Sequence, residues 1–144
     1  MILFLLISAL QAKSLKNTSY GSVVVDEVTS IYDGDTFRAD IDSFPPLIGK
    51  RMAIRINGID TPEMRGKCSK EKNLARRAKQ FSVSALRGAK VIELRDMKRG
   101  KYFRIVADVF VDSISLGHML IKKGFAVSYD GGTKNKDWCS KFQD

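Results

Sequence analysis

Two short stretches set carboxylates where they could do chemistry. In Asp33-Gly34-Asp35-Thr36 the Asp-Gly pair is a common hairpin turn, and a hairpin tip projects its side chains clear of the sheet. Asp35 there could serve as an oxygen ligand for a hard cation such as Ca²⁺. In Ile59-Asp60-Thr61-Pro62-Glu63 the proline disfavours helical geometry at Thr61 and favours a turn, which would fix the separation of Asp60 and Glu63. One carboxylate could then hold a metal while the other takes a proton from water. The plainer alternative is a surface turn whose Asp and Glu pair with Arg55 or Arg65. Two arginines complete the set. Arg55 lies on the strand leading into the turn, and Arg104 opens a later strand in GKYFRI. Together they could clamp one phosphate, because guanidinium donors form a fork that matches phosphate oxygens.

The elements that must position these groups are legible as patterns. SVVVDEVTSI (22–31) is rich in β-branched residues and TFRADI (36–41) alternates, so both are predicted strands with the Asp33–Asp35 turn between them. In RMAIRIN (51–57), Met52, Ile54 and Ile56 share one face, which leaves Arg55 on the other. Leu74, Ala78, Phe81 and Ala85 recur at helical spacing, predicting an amphipathic helix over 69–86 with Gly88 as its stop. KVIEL (90–94) and RIVADVFV (104–111) are two further strands joined by a polar link, RDMKRGKYF. SLGHMLIKKG is a short helix with Leu116, Met119 and Leu120 inward, and strand-like FAVSY follows. Short strands with turn-rich connections and few helices point to an α+β chain that is mainly β, a small barrel with helical additions.

At 144 residues the chain has room for one hydrophobic core, so a single domain is expected over 13–144. The 25 Lys and Arg against 16 Asp and Glu give +9, with no charge in the first twelve residues. That excess suits a polyanion, although an anionic membrane surface would also fit. The apolar run from Ile2 to Leu10, with small residues up to Ala12, reads as a signal peptide over 1–12, atypically short and lacking a basic start. Export, to the periplasm or outside the cell, is the corresponding expectation, and the run is too short for stable insertion across a bilayer. Cys68 and Cys139 are the two cysteines; an even count in an exported chain invites a disulfide, the alternative being two free thiols.

Other chemistries rank lower. His118 is the one histidine and sits among core residues of a helix, so a two-histidine ribonuclease is excluded. A zinc site from His118, Cys68 and Cys139 lacks structural-zinc spacing. No GxSxG elbow, Walker loop or GxGxxG occurs.

Taken together, DGDT, RINGIDTPE and KYFR resemble the staphylococcal nuclease-like (thermonuclease) family in order, spacing and residue type, from about Val25 to Tyr129. The resemblance implies an OB-fold, a five-stranded Greek-key barrel with two or three helices. It implies Ca²⁺ held by the carboxylates of Asp35 and Asp60 and the backbone carbonyl of Thr61, with Asp33 behind them. Glu63 would assist the attacking water, Arg55 and Arg104 would stabilise charge on the scissile phosphate, and Tyr129 would lie near the bound nucleotide. The implied activity is hydrolysis of DNA and RNA, single-stranded or frayed, leaving 3′-phosphates, by a monomer. Two features depart from the family pattern. Phe103 and Ile105 flank Arg104 where glycines are usual, and the chain ends soon after KDWCSKFQD, where a Cys68–Cys139 bridge would tie down the short tail. A catalytically inactive OB-fold binding module is the alternative from another class; such modules lose one or more of these groups. A basic adhesion protein would explain the charge but not the carboxylates.

Overall fold

The computed structural model describes residues 18–140; the leader expected over 1–12 lies outside them. Within that range the strands are β1 (Val23–Val24), β2 (Glu27–Ile31), β3 (Thr36–Asp40), β4 (Met52–Ile56), β5 (Ile59–Asp60), β6 (Ile92–Arg99), β7 (Arg104–Val111), β8 (Ile114–Ser115) and β9 (Val127–Ser128). Three helices accompany them: α1 (Pro46–Gly49), α2 (Ser69–Gly88) and α3 (Leu116–Lys122). Among the described residues no helix is long and apolar enough to cross a membrane.

The main sheet runs β1-β6-β7-β4-β3-β2, with β4 and β7 parallel and the other pairs antiparallel. Its two ends are segments of one strand. β1 and β2 are separated only by Val25 and Asp26, whose N–H groups donate to Ile92 and Asp40 on opposite edges of the sheet at 2.9 Å each. A single bent strand therefore closes the sheet on itself, giving the OB-type barrel of five strand positions. Closure removes the exposed edges that an open sheet would present. Inside it, Phe37, Ala39, Ile54, Ile56, Leu94, Ala107 and Val109 form a continuous apolar core, capped by Leu116 and Leu120 of α3. β4 alternates as its sequence requires: Met52, Ile54 and Ile56 are buried, and Arg55 lies half-buried on the opposite face.

Two details differ from the sequence expectation. β6 continues to Arg99, through most of the stretch read as a polar link, with a register shift between Arg95 and Lys98 and Met97 turned into the core. Its polar residues lie on the outer side of the barrel, so polarity alone did not mark a loop. The buried face of α2 is made of Glu71, Ala75, Ala78, Ser82 and Leu86, whereas Leu74, Phe81 and Ala85 are only partly buried. Small residues face inward because the helix crosses the Asp33–Asp35 turn at close range. A Cβ on Gly34 would lie 3.0 Å from that of Ala78.

Cys68 and Cys139 are joined by a disulfide spanning 71 residues. Closing a loop of that length stabilises the fold by about 4 kcal/mol in the chain-entropy view. It also pins Cys139 beside the start of α2.

Candidate nuclease site

The site is assembled from three chain segments at one end of the barrel. The turn between β2 and β3 brings Asp33 and Asp35, β4 brings Arg55, and β5 with the turn after it brings Asp60, Thr61 and Glu63. Asp35, Asp60 and Thr61 are 3%, 4% and 3% exposed, an uncommon depth for ionisable and polar groups.

Each buried group is held. Asp35 Oδ1 lies 2.7 Å from Arg55 Nη1 and accepts the Thr36 hydroxyl at 2.9 Å, while its Oδ2 accepts the Thr61 N–H at 3.3 Å. Asp35 thus ties β3, β4 and the Asp60 turn together. Arg55 Nη2 donates to the Ile59 carbonyl at 3.0 Å and approaches Asp60 Oδ1 at 3.9 Å. The turn itself is fixed from behind by α2, whose Ser82 hydroxyl donates to the Gly34 carbonyl at 2.6 Å. The Asp35 N–H closes back on Asp33 Oδ1 at 3.1 Å. Burial, reinforced by the negative charge of Asp35, pushes the Asp33 carboxyl up to about 7.

Three residues that the motifs did not reveal complete the arrangement. The Lys134 ammonium lies 2.7 Å from Asp60 Oδ1 and 2.7 Å from Glu63 Oε1. Burial alone would lower its pKa, but the two carboxylates outweigh that and hold it above the usual lysine value. Glu71, buried on α2, accepts the Glu63 N–H at 3.2 Å and the Lys67 N–H at 3.0 Å, so it shapes the loop carrying Glu63. Ser82 is the third. Glu71 stands three residues after Cys68, the N-cap of α2, but a cysteine there is not a capping signal, and Glu71 serves the Glu63 and Lys67 N–H groups rather than that of the cap. Nothing in the sequence points to Lys134, which reaches the site from a loop 71 residues beyond Glu63.

The donors suit a hard cation. They are oxygens, and Asp60 Oδ1 is buried without a hydrogen bond of sound geometry, its short contact with Lys134 being one of charge. Asp35, Asp60 and Glu63 offer three negative charges against Arg55 and Lys134, a net negative charge that favours a cation. Among the described residues no three of the site's carboxylates bring ligand atoms within 4.8 Å of one another; the one set that does is Cys68, Glu71 and Cys139, whose sulfurs are bonded to each other.

Tyr129 and Arg104 stand differently. The Tyr129 ring lies 5.8 Å from the Arg55 guanidinium carbon, and its hydroxyl donates to the Gly132 carbonyl at 2.6 Å, so it walls the pocket that also contains Asp60 and Lys134. Arg104 pairs in parallel register with Ala53 on β4, two residues from Arg55. The two arginines therefore project from one face of the sheet. Among the described residues Arg104 makes no ion pair; its buried Nε has no hydrogen-bond partner, and its guanidinium lies 6.0 Å from the Tyr102 ring. His118 is exposed on α3.

The closed barrel of five strand positions is an OB-type fold, an architecture on which oligonucleotide- and oligosaccharide-binding sites are built. The sequence model of the family described as staphylococcal nuclease homologue matches residues 53–143, more than half of the chain, and the protein belongs to that family. No curated protein matches the chain at a significant level. The match takes in Arg55, Asp60, Thr61, Glu63, Arg104 and Tyr129. Asp33 and Asp35 precede it and join the site through the pairing of β3 with β4.

Proposed function

We propose that the protein is an exported, Ca²⁺-dependent phosphodiesterase that hydrolyses DNA and RNA with little sequence preference. Membership of a nuclease family supports the reaction class. The observation that carries the finer reading is the convergence of buried Asp35, Asp60 and Thr61 around Arg55, with Glu63 one turn away.

Asp35 and Asp60 through carboxylates, and Thr61 through its carbonyl, are the residues that would hold the cation. When bound, it supplies Lewis-acid charge to the phosphate and its attacking oxygen. Glu63 accepts a proton from the water that attacks phosphorus, a role open to it because its side chain is about half exposed and reaches solvent. In its present pairing Lys134 occupies Glu63 Oε1, so the lysine must swing out for the base to work. Arg55 is already fixed by Asp35 and the Ile59 carbonyl and offers its remaining donors to a phosphate oxygen without reorganisation. Arg104, unpaired and on the same face, approaches the phosphate from the second side. Cleavage at the 5′-oxygen side leaves a 3′-phosphate, and the net charge of +9 draws the polyanion in whatever its sequence.

Digestion of single-stranded DNA by the purified chain tests this. Cleavage is expected with Ca²⁺, none with chelator, and a loss of about 10²–10⁴-fold for Glu63→Gln. Unchanged cleavage by Glu63→Gln would assign the base elsewhere. Binding without cleavage in Ca²⁺ would make the protein an inactive binding module.

A further inference from the structure

Arg104 also lines a groove of about 710 Å³ that contains none of the site's carboxylates. Phe44, Met52 and Met97 contribute apolar surface to it, and Tyr20 and Phe103 stand partly in solvent beside them. Its cations are Lys98, Arg99 and Arg104, and no acidic side chain lines it. Lys98 is paired with Asp96 at 3.1 Å, whereas among the described residues Arg99 and Arg104 make no ion pair.

The hairpin that ends this groove is built against backbone preference. Gly100 N–H donates to the Arg104 carbonyl at 2.8 Å, and in the loop so closed Tyr102 and Phe103 both adopt positive φ, 58° and 54°. Large side chains rarely take that conformation. Their side chains gain no burial from it, since Tyr102 is 89% and Phe103 62% exposed. The same pair of positive φ values occurs at Asp112 and Ser113, so it is the exposure of Tyr102 and Phe103, rather than the turn itself, that offers a surface for contact.

We propose that this groove is a second nucleic-acid subsite, taking unpaired bases of a single strand whose scissile phosphate lies at Arg55. It rests on the nuclease reading and extends it. Phe103 and Tyr20 offer flat apolar faces on which any base can stack, so the contact is indifferent to sequence. Arg99 and Arg104 meet the phosphates between successive bases, and a cleft of one sign of charge concentrates the strand. Arg104 belongs to both places, linking occupation of the groove to alignment of the phosphate. A base pair would keep its faces within the duplex stack, so the groove favours single-stranded or frayed ends.

Binding in chelator, where no cleavage occurs, separates this subsite from catalysis. The probe is fluorescein-labelled octathymidylate, followed by anisotropy, beside an abasic oligomer of the same phosphate count. Wild type is expected to bind the thymidylate more tightly than the abasic strand. Phe103→Ala should weaken the thymidylate by about tenfold and leave the abasic strand unaffected, while Phe103→Trp restores binding. Phe103 is exposed, so neither change threatens the fold, and a melting curve checks this. Equal losses for both probes, or none for either, would overturn the proposal. So would self-association of the wild type that Phe103→Ala abolishes, because the groove would then be filled by a second copy. Base-dependent binding in a protein that never cleaves would refute the hydrolase reading alone.

Discussion

The two flanks of the β4–β7 pair solve opposite electrostatic problems. On one, Asp35, Asp60 and Glu63 are buried or half-buried and almost every charged atom already has a partner: Arg55 on Asp35, Lys134 across Asp60 and Glu63. On the other, Arg104 has a buried nitrogen with no partner, and two aromatic side chains stand in solvent on a strained backbone. The first flank is organised before any ligand arrives, because a concentrated acidic cluster would otherwise repel itself. The second is left incomplete, and on the proposed reading a phosphate brings the missing charge. Pairing within the protein then organises the proposed cation site, and lack of pairing marks the surface proposed to meet phosphate.

Substituting one arginine on each flank breaks this comparison most sharply. Arg55→Met leaves Asp35 buried without its cation, and removing one partner of a buried pair costs about 3–5 kcal/mol. Urea unfolding of the metal-free protein should register that loss, together with loss of cleavage. Arg104→Lys keeps the charge but not the fork, and turnover should fall by about 10²-fold or more, as when one transition-state donor is removed. Its urea midpoint should scarcely move, since Arg104 makes no ion pair among the described residues. Equal stability losses for the two variants would erase the distinction between the flanks.

The pattern of legibility follows the same division. Motifs of adjacent residues were readable because their spacing is local: Asp33–Asp35, Asp60–Glu63, and the alternation that turns Arg55 away from Ile54 and Ile56. The barrel too was expected, since β-branched runs and turn residues announce short strands. Lys134 was not legible, because a lysine in a polar loop carries no sign of what it will meet after folding. The inward face of α2 was legible only in part. Ala78 is buried and Phe81 and Ala85 pack against the core, but hydrophobic spacing gave no sign that Glu71 and Ser82 would also face inward. Strain at Phe103 needed backbone angles, which composition does not hold.

Within the acidic flank, Asp33 gives a smaller effect with a definite sign. Its folded pKa, about 7, lies above the ordinary aspartate value, so the folded state binds its proton more tightly than the unfolded state does. Its contribution is therefore intact below about pH 4, is lost as pH rises toward about 7, and is flat beyond that. Asp33→Asn keeps an acceptor for the Asp35 N–H and removes the charge. It should stabilise the metal-free protein by about 2–4 kcal/mol at pH 8 and by almost nothing at pH 3.5. Denaturant midpoints at the two pH values decide the matter, and an equal gain at both would mean that ionisation of Asp33 is not the cause.

Lys134 produces the smallest change and tests whether the acidic flank's pairing is a counter-ion arrangement or a structural tie. Its side chain is 43% exposed, so the pairs it forms contribute little to stability after solvent screening. They nevertheless occupy Asp60 Oδ1, which a divalent ion would need. Ion and ammonium then compete for one oxygen, and replacing Lys134 by Met removes the competitor while keeping the length of the stem. Calorimetric titration with Ca²⁺ should give about tenfold tighter binding for Lys134→Met, equivalent to about 1.4 kcal/mol, with a melting temperature near wild type before metal is added. Weaker binding in the variant would reverse the assignment. Lys134 would then be a residue that shapes the loop for the ion, and the acidic flank would depend on its cation as closely as Asp35 depends on Arg55.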